Sequence, residues 1–552
     1  MKIAYVFCAL LLLTSAFSNN PVCAQQKKDR PPTTSLVYPG TDGRLVYVAD
    51  SAGNRIPDFS YAGYMSGGVT IPYVANKEVV WPVKGDNAAN IQAAIDRVSA
   101  LAPDASGFRG AVLLRMGTYY LDAPIFIKTS GVILRGEGMS DIGTILVGRV
   151  PEGQGAKTAR QPLVSIAGAS GITPAEDTKQ KITDKFVPVG ARTVNVVSAK
   201  AFKAGDKILI RRFSNDAWIK EIGEDSESAG RFAWKPFTIT WDRIITEVKG
   251  NAITVDAPIF TAIEERWGGG EVLKYDDPGR IENVGVENLR GISEYNPEVR
   301  ITSYGNIDRG SWDDPRPHYD GEEYYSDESH YYTFINISNA KNAWVRNVSA
   351  LHFASSVVSV ASNSKWVTVE DCESREPVSI RAGARRFTYQ LSGQLSLAQR
   401  CTSQKGRHSF VMGGSGASGN VFLDNSATMP FSTSEPHSQW VNGALYDNVH
   451  APLSARYWKD ISIGWAGANI VFWNCEGDYM IQSPPGAYNW SFGHIGLNAV
   501  VFNAIYQDYS KKRGHLEYQD VHVFPRSLYL TQLKERLGLN AVMNVATEDQ
   551  LK

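Results

Sequence analysis

The stretch Val367-Thr368-Val369-Glu370-Asp371-Cys372 alternates apolar and polar side chains and ends on an acidic residue followed by a small one. Related stretches recur through the second half of the chain, at 344–348, 397–401, 421–425, 445–449, 471–475 and 501–504. Their last residues follow one another at intervals of 24, 29, 24, 24, 26 and 29 positions. One short strand per repeat of this length predicts a β-solenoid, in which each repeat buries its apolar face only against its neighbours.

Equivalent positions of a solenoid stack on one another, so the end residues of these stretches should form an internal ladder. The ladder residues are Val348, Cys372, Cys401, Asn425, Val449, Cys475 and Ala504. Free Cys behaves as a small hydrophobe, which suits such a position. We therefore interpret the three cysteines after the N-terminal leader as core residues, not as a disulfide framework or a metal site.

The N-terminus resembles a cleaved export signal. Lys2 is followed by an apolar run from Ala4 to Phe17, and Ala24 offers a small-residue cleavage site. A lipoprotein using Cys23 is disfavoured, because Asn20-Pro21-Val22 does not resemble a lipobox. No later stretch has the roughly 18 continuous apolar residues that a membrane helix needs. We expect a secreted or periplasmic protein without a membrane span.

The first half predicts a helix over 86–96, with Asp86 as its cap, followed by strand-like segments over 111–120, 125–127 and 131–138. This order resembles the N-terminal cap and first coils of the pectate-lyase-like superfamily, and the resemblance covers about residues 80–150 and 280–505. It implies an all-β, right-handed parallel β-helix that acts on carbohydrate, with a short helix covering the open end. A small inserted β lobe would interrupt the repeat.

The resemblance implies the fold more than the reaction, because that superfamily includes lyases, glycoside hydrolases, epimerases and phage tailspikes. The aspartates and later Arg of Ca²⁺-dependent pectate lyases are not recognisable in the expected coils. The paired aspartates of polygalacturonases are also missing. These departures put pectate itself in doubt and leave another acidic glycan as a candidate substrate.

The chain is predicted to have six parts. They are a signal peptide (1–24), an N-terminal extension (25–80), the cap and first coils (81–150), an inserted β-rich lobe (151–279), the main β-helix (280–510) with an acidic loop at 294–332, and a C-terminal tail or cap (511–552).

Counting seven residues from each ladder residue predicts a row of polar side chains on successive coils, namely Ser379, His408, Ser432 and Arg456. Neighbouring coils are about 4.8 Å apart, so His408 and Arg456 would lie roughly 10 Å apart on one face. The coil between them also carries His437. We expect this face to be a groove that holds a glycan chain.

The candidate catalytic residues are His408, His437, Arg407 and Arg456. The candidate substrate-binding residues are Arg381, Arg386, Tyr389, Trp440, Asp327, Glu328 and His330. For Tyr389 a packed aromatic ring is the competing interpretation, and for the acidic loop it is a solvated surface.

The residue types favour β-elimination on a uronate. Such a lyase needs a base, a cationic partner for the substrate carboxylate, and an acid for the leaving oxygen. His, Arg and Tyr or a second His fill these roles. No Asp or Glu occurs from Pro377 to Leu423, whereas hydrolysis normally uses two carboxylates. Two alternatives stay open: a glycoside hydrolase using carboxylates of the 313–328 loop, and a non-catalytic glycan-binding β-helix.

No nucleotide or redox cofactor motif is present, and we expect no cofactor or metal apart from Ca²⁺ through the acidic loop. The expected partner is an acidic polysaccharide or oligosaccharide. A net charge of −1 gives no bulk attraction to nucleic acid, and none is expected to bind. The protein is expected to be a monomer.

Overall fold

The computed structural model describes residues 31–151, 160–302, 323–381, 383–498 and 507–552. The signal peptide, the last ladder residue Ala504 and most of the 313–328 loop lie outside these ranges. Strands outnumber helices, and most strands pair in parallel, so the prediction of an all-β protein with long parallel sheets is confirmed.

Three parallel ladders of strands organise the chain. The first ladder contains Asn76–Val80, Gly110–Leu114, Val132–Arg135, the first part of Ile281–Ser293, the first part of Ala340–Leu351, Lys365–Glu370, Leu397–Gln399, Ser418–Leu423, Val441–Asp447, Gly467–Trp473, Trp490–Phe492 and His515–Glu517.

The other two ladders use shorter strands. The second contains Gly117–Leu121, Thr144–Gly148, the second parts of Ile281–Ser293 and Ala340–Leu351, Glu373–Arg375, Thr402–Gln404 and Ser426–Thr428. The third contains Ile125–Ile127, Pro162–Ala167, Thr333–Ser338, Ser356–Val360, Phe387–Leu391, His408–Gly413 and Pro436–Ser438, and a further parallel pair joins Leu453–Ala455 to Tyr479–Ile481.

The bend between the first and second ladders is made by single residues with left-handed backbone conformation. Asn347, Asp371, Asp424, Asn448 and Asn474 have φ between 50° and 55°, each one position before a predicted ladder residue. Asn and Asp tolerate this conformation better than other non-Gly residues. The recurring Asn or Asp of the sequence repeat is therefore explained by backbone geometry.

The internal ladder of the sequence repeat is confirmed for its described members. Glu370 pairs with Gln399, and Asp447 pairs with Trp473, which places Cys372 beside Cys401 and Val449 beside Cys475. All three cysteines are free and buried. Asn425 fits the same position because its amide accepts a hydrogen bond from the Cys401 backbone N–H at 2.8 Å.

In the sequence, the segment between the ladder strands Pro162–Ala167 and Ile281–Ser293 forms a separate antiparallel sheet. Its strands are Thr173–Pro174, Gly270–Asp276, Lys207–Arg212, Ile239–Lys249, Ala252–Val255 and Thr193–Asn195, with Gln180–Lys181 also on Gly270–Asp276 and a separate pair formed by Phe186–Val187 and Ile263–Glu264. The sheet is tied to the first ladder by the buried Asp242, which pairs with Lys365 at 3.2 Å and with Arg280 at 2.6 Å.

Helices are few. Ala88–Ser99 buries its apolar face in the core shared by the ladders, and it begins two residues after the predicted cap Asp86, whose carboxylate accepts from the Ala88 N–H at 3.1 Å. The other helices are Asp216–Glu221, Ser226–Ala229, Leu528–Leu537 and Leu539–Met543, with single 3-10 turns at Tyr64–Ser66, Glu176–Thr178, Gly230–Phe232, Glu265–Trp267 and Asp549–Leu551. No helix in the described ranges is long and apolar enough to cross a membrane.

The remaining strands form short antiparallel pairs. They are Val37–Pro39 with Leu45–Tyr47, Arg300–Thr302 with Glu323–Tyr325, and Tyr457–Trp458 with Gly464–Trp465.

Candidate active site

The two predicted histidines come together on the third ladder. His408 begins the strand His408–Gly413, and His437 lies in the strand Pro436–Ser438, which pairs with it in parallel. Their ring centroids are 4.6 Å apart. The ring of Phe387, on the preceding coil, lies 5.1 Å from each imidazole and covers one side of the pair.

A glutamate that the sequence analysis did not nominate connects this pair. Glu435 is fully buried and accepts a hydrogen bond from His437 Nδ1 at 2.8 Å. Its other oxygen accepts hydrogen bonds from Thr433 Oγ1 at 2.7 Å and Ser454 Oγ at 2.6 Å. A buried carboxylate needs such partners, because an unpaired charge in the interior is strongly disfavoured.

The electrostatic surroundings keep Glu435 ionised. Burial alone would raise its pKa, but the imidazoles of His408 and His437 and the Arg456 guanidinium lower the pKa to about 2. At neutral pH His408 carries no charge, so the hydrogen bond from His437 is the main stabilising contact. An ionised carboxylate only accepts hydrogen bonds, so His437 donates from Nδ1 and its Nε2 is the nitrogen available to take up a proton.

The two histidines differ in exposure. The His437 side chain is 16% exposed, whereas His408 is completely buried. His408 Nδ1 lies 2.6 Å from the Thr433 carbonyl oxygen, and burial, together with the charge of Arg407, holds the pKa of His408 well below its usual range. His437 is therefore the imidazole that a ligand can reach, and His408 is a neutral support for it.

The predicted arginines are present near this site but are buried. Arg456 stacks on the Trp458 ring at 3.8 Å and donates to Gln507 Oε1 at 2.7 Å. Trp458 in turn lies 5.7 Å from the His437 ring. Arg407 donates to the Gly383 carbonyl and lies over Phe387. In this arrangement Arg456 acts on Glu435 through its charge and on His437 through Trp458.

The same cluster has donors that suit a divalent cation. His408, Glu435 and His437 each offer one ligand atom, and these atoms lie within 4.8 Å of one another. Two imidazole nitrogens and one carboxylate oxygen are ligands that Zn²⁺ and related metals accept. Hydrogen bonds already account for both Glu435 oxygens and for both Nδ1 atoms. His408 Nε2 has no hydrogen-bond partner in the described part of the chain.

Two of the predicted substrate-binding arginines line a cavity of about 340 Å³. Arg381 lies between the rings of Tyr324 and Phe431, at 3.8 and 4.0 Å. Arg386 donates to the Ser379 carbonyl at 2.7 Å. The described lining comprises Tyr295, Arg300, Glu323, Tyr324, Tyr325, His352, Glu376, Pro377, Val378, Arg381, Arg386, Gln404 and Lys405. Four cationic side chains and three tyrosines suit an acidic sugar.

The described residues of the acidic loop are bound within the protein. Asp327 is buried and accepts from the Asn296 and Ser329 N–H groups. Glu328 forms an ion pair with Arg385 at 2.7 Å, and His330 is buried with Nδ1 2.7 Å from Ser293 Oγ. Asp327 and His330 are therefore buried with partners inside the protein, whereas Glu328 remains partly exposed beside Arg385.

Two aromatic candidates are also corrected. Tyr389 lies in the core, stacked on Phe410, and its hydroxyl donates to the Thr402 carbonyl at 2.9 Å. Trp440 is buried against Trp218 and joins the antiparallel sheet to the ladders. Neither ring presents a surface on which a sugar could stack.

The predicted row of polar residues has a different register in the structure. His408 pairs with Phe387, not with Ser379, because 11 residues separate the preceding second- and third-ladder strands, whereas only three separate them in the next coil. Fixed-offset counting fails where loop lengths differ. Glu435 lies beyond the stretch from Pro377 to Leu423 that has no acidic residue. Its spacing of two from His437 on an extended segment was the available signal.

Comparisons with known proteins do not identify a family. No family model matches the chain, and no curated protein matches it. Among solved structures, the Gp54 tailspike of Acinetobacter baumannii bacteriophage AP22, in complex with A. baumannii capsular saccharide, is 11% identical with a TM-score of 0.40, over 75% of this chain and 56% of that one. The chain thus spans little more than half of that tailspike.

Two further similar structures have comparable values. DFA-IIIase from Arthrobacter chlorophenolicus A6 without its lid is 10% identical with a TM-score of 0.37, over 76% of this chain and 72% of that one. The tailspike protein gp49 from Pseudomonas phage LKA1 is 12% identical with a TM-score of 0.30, over 74% and 69%.

Proposed function

We propose that this protein is a secreted polysaccharide lyase that cleaves a uronic-acid-containing glycan by β-elimination. We further propose that its ladders close into a right-handed β-helix, that the helix Ala88–Ser99 covers the N-terminal end, and that residues 151–279 form an inserted lobe. The observation that carries the reaction is the Glu435–His437 pair, in which a buried carboxylate holds Nδ1 of a partly exposed imidazole and leaves Nε2 as the nitrogen that can accept a proton.

This pair has the arrangement that a general base needs. A carboxylate on Nδ1 selects one tautomer of the imidazole, orients the ring, and stabilises the imidazolium that forms when Nε2 takes a proton. In the proposed reaction His437 Nε2 removes the proton next to the uronate carboxylate. A carbon–carbon double bond then forms, and the glycosidic oxygen leaves and takes up a proton.

Substrate binding is assigned to the cavity that Arg381 and Arg386 line. The Arg386 carbonyl accepts hydrogen bonds from the Arg407 and His408 N–H groups, so the cavity lining and the histidine pair occupy adjacent coils. The guanidinium of Arg381 is held between two rings, which limits its motion before a ligand arrives. Preorganised cations of this kind favour the carboxylates of an acidic sugar.

Hydrolysis is less well supported by the described residues. A glycoside hydrolase needs two carboxyl groups that reach the substrate. Glu435 is buried with both oxygens already hydrogen-bonded, and Glu328 is paired with Arg385.

Incubation with a panel of acidic glycans, with and without a chelator, tests the proposal. Elimination creates an unsaturated uronate with ultraviolet absorbance, and we expect this absorbance together with new reducing ends. New reducing ends without the absorbance would establish hydrolysis and refute the lyase. Binding without any product would indicate a glycan-binding protein. Loss of activity with the chelator, restored by a divalent metal, would refute the metal-free mechanism.

A further inference from the structure

A second cationic cavity lies where three distant parts of the chain meet. Its volume is about 310 Å³, at the lower end of the range for small-molecule sites. It is lined by Arg44, Tyr47, Arg55, Ile56, Asp58, Tyr61, Gly190, Arg192, Pro258, Gln532, Glu535 and Arg536. Neither His437 nor any residue of the Arg381 cavity belongs to this lining.

Three of the four arginines contact uncharged partners, and the fourth, Arg44, is exposed. Arg192 donates to the Val255 carbonyl at 2.8 Å, and Arg536 donates to the Ser60 carbonyl at 2.7 Å. Both guanidiniums contact the Tyr61 ring, at 5.6 and 4.2 Å respectively. Arg55 lies over the Tyr47 ring at 5.9 Å. These contacts fix the guanidiniums without neutralising them.

The positive charges of the arginines in this cavity outnumber the carboxyl groups that line it. None of the four arginines forms an ion pair with a carboxylate in the described ranges. The lining has only two carboxyl groups, which leaves a surplus of at least two positive charges. One of them, Asp58, accepts the Ser60 N–H at 2.9 Å, and burial raises its pKa. Burial also raises the pKa of Glu535.

We propose that this cavity binds a sugar-sized molecule that carries a carboxylate or a sulfate. The surplus guanidiniums match an oxyanion, because the planar Arg fork forms paired hydrogen bonds with such groups. Gln532 and the Tyr47 hydroxyl, which are hydrogen-bonded to each other at 3.1 Å, add polar groups for sugar hydroxyls. The cavity walls pack on first-ladder residues such as Leu397 and Val421, whereas His437 lies on the third ladder. The site is therefore separate from the proposed catalytic one.

Calorimetric titration of the full chain tests this site. The probes are glucuronate and glucose 6-sulfate as sugar-borne oxyanions, inorganic sulfate as the free anion, and glucose as the neutral sugar. We expect either or both sugar oxyanions to bind more tightly than inorganic sulfate, glucose not to bind, and affinity to fall as salt is raised. The double variant Arg44→Gln/Arg55→Gln should weaken binding at least about tenfold, because it removes two cationic hydrogen-bond donors from the lining.

Matched variants separate this site from the proposed catalytic one. Arg97→Gln removes the same charge from an exposed helix and should leave binding unchanged. Glycan cleavage by Arg44→Gln/Arg55→Gln should equal that of the wild type, and the calorimetric result stands even if no glycan is cleaved. Undiminished binding by the double variant, equal binding of glucose and glucuronate, or binding of inorganic sulfate alone would each overturn the proposal. Arg192→Gln repeats the test if the double variant does not fold.

Discussion

Glu435→Gln is the substitution that most clearly separates a catalytic pair from an ordinary buried contact. It preserves the size of the side chain but removes the charge that three hydrogen-bond donors share. A pKa lowered from 4.5 to about 2 corresponds to at most about 3 kcal/mol of stability at neutral pH, because His408, whose charge contributes to the shift, is neutral there. We therefore expect the free energy of unfolding at pH 7 to fall by about 2–3 kcal/mol.

The pH dependence of this effect follows from the sign of the shift. A carboxyl whose pKa is lowered in the folded state stabilises the protein above its unfolded pKa, and this contribution is lost as pH falls from about 4.5 towards 2. The stability difference between wild type and Glu435→Gln should accordingly shrink over that interval. Urea unfolding at several pH values measures it. Glu298→Gln, at an exposed position, is the control and should stay within about 0.5 kcal/mol of the wild type.

The same variant should also lose activity. Without the carboxylate, His437 is no longer held in the tautomer with a free Nε2, and loss of such orientation typically lowers kcat by about 10²–10⁴. KM should change little, because Glu435 is buried away from the substrate. A variant whose kcat stays within about tenfold of the wild type, and whose stability at pH 7 is unchanged, would refute the assignment of Glu435 and His437 as a working pair.

Three other substitutions test separate parts of the structure. Burial raises the pKa of Glu224 to about 8, so this carboxyl should destabilise the fold as pH rises from about 4.5 to 8. In urea unfolding at several pH values, Glu224→Gln should remove this pH dependence and raise the free energy of unfolding by up to about 4 kcal/mol at pH 8. A pH dependence equal to that of the wild type would contradict the burial argument. Asp242→Asn leaves the buried Lys365 and Arg280 without their carboxylate and should lower stability by about 3–5 kcal/mol in urea unfolding, whereas a loss below about 1 kcal/mol would show that this contact does not hold the antiparallel sheet. Tyr389→Phe removes one hydrogen bond from the core and should lower stability by about 0.5–1.5 kcal/mol with kcat and KM unchanged, while a raised KM would restore Tyr389 to the binding surface.

The repeat was predictable from sequence because the backbone conformation at each turn restricts which residue types can occur there. Most turns from the first to the second ladder have a left-handed Asn or Asp, with Arg400 as an exception, and the next position holds a buried side chain such as Cys372 or Cys475. These local requirements recur at most coils. The antiparallel sheet was only partly predicted, since Ile239–Lys249 and Gly270–Asp276 are long strands without a matching signal in the repeat.

The site was predicted less well because it depends on contacts between coils of unequal length. The rings of His408 and His437 lie side by side, yet the sequence gives no indication that His408 is inaccessible. The burial of Glu435 is not visible in the sequence, because its partner Ser454 becomes adjacent only when two coils stack. Arg381 and Arg386 lie on a cavity as expected, whereas Tyr389 and Trp440 are in the interior, because an alternating pattern does not reveal which face of a strand is covered.

The most direct test of the lyase proposal compares wild type with His437→Ala on a uronate-containing glycan. The ultraviolet absorbance of the unsaturated product is recorded together with the number of reducing ends. We predict that both rise in parallel for the wild type and that both are lost in a His437→Ala variant that retains its fold. Equal absorbance from His437→Ala, or reducing ends without absorbance from the wild type, would contradict the proposed reaction.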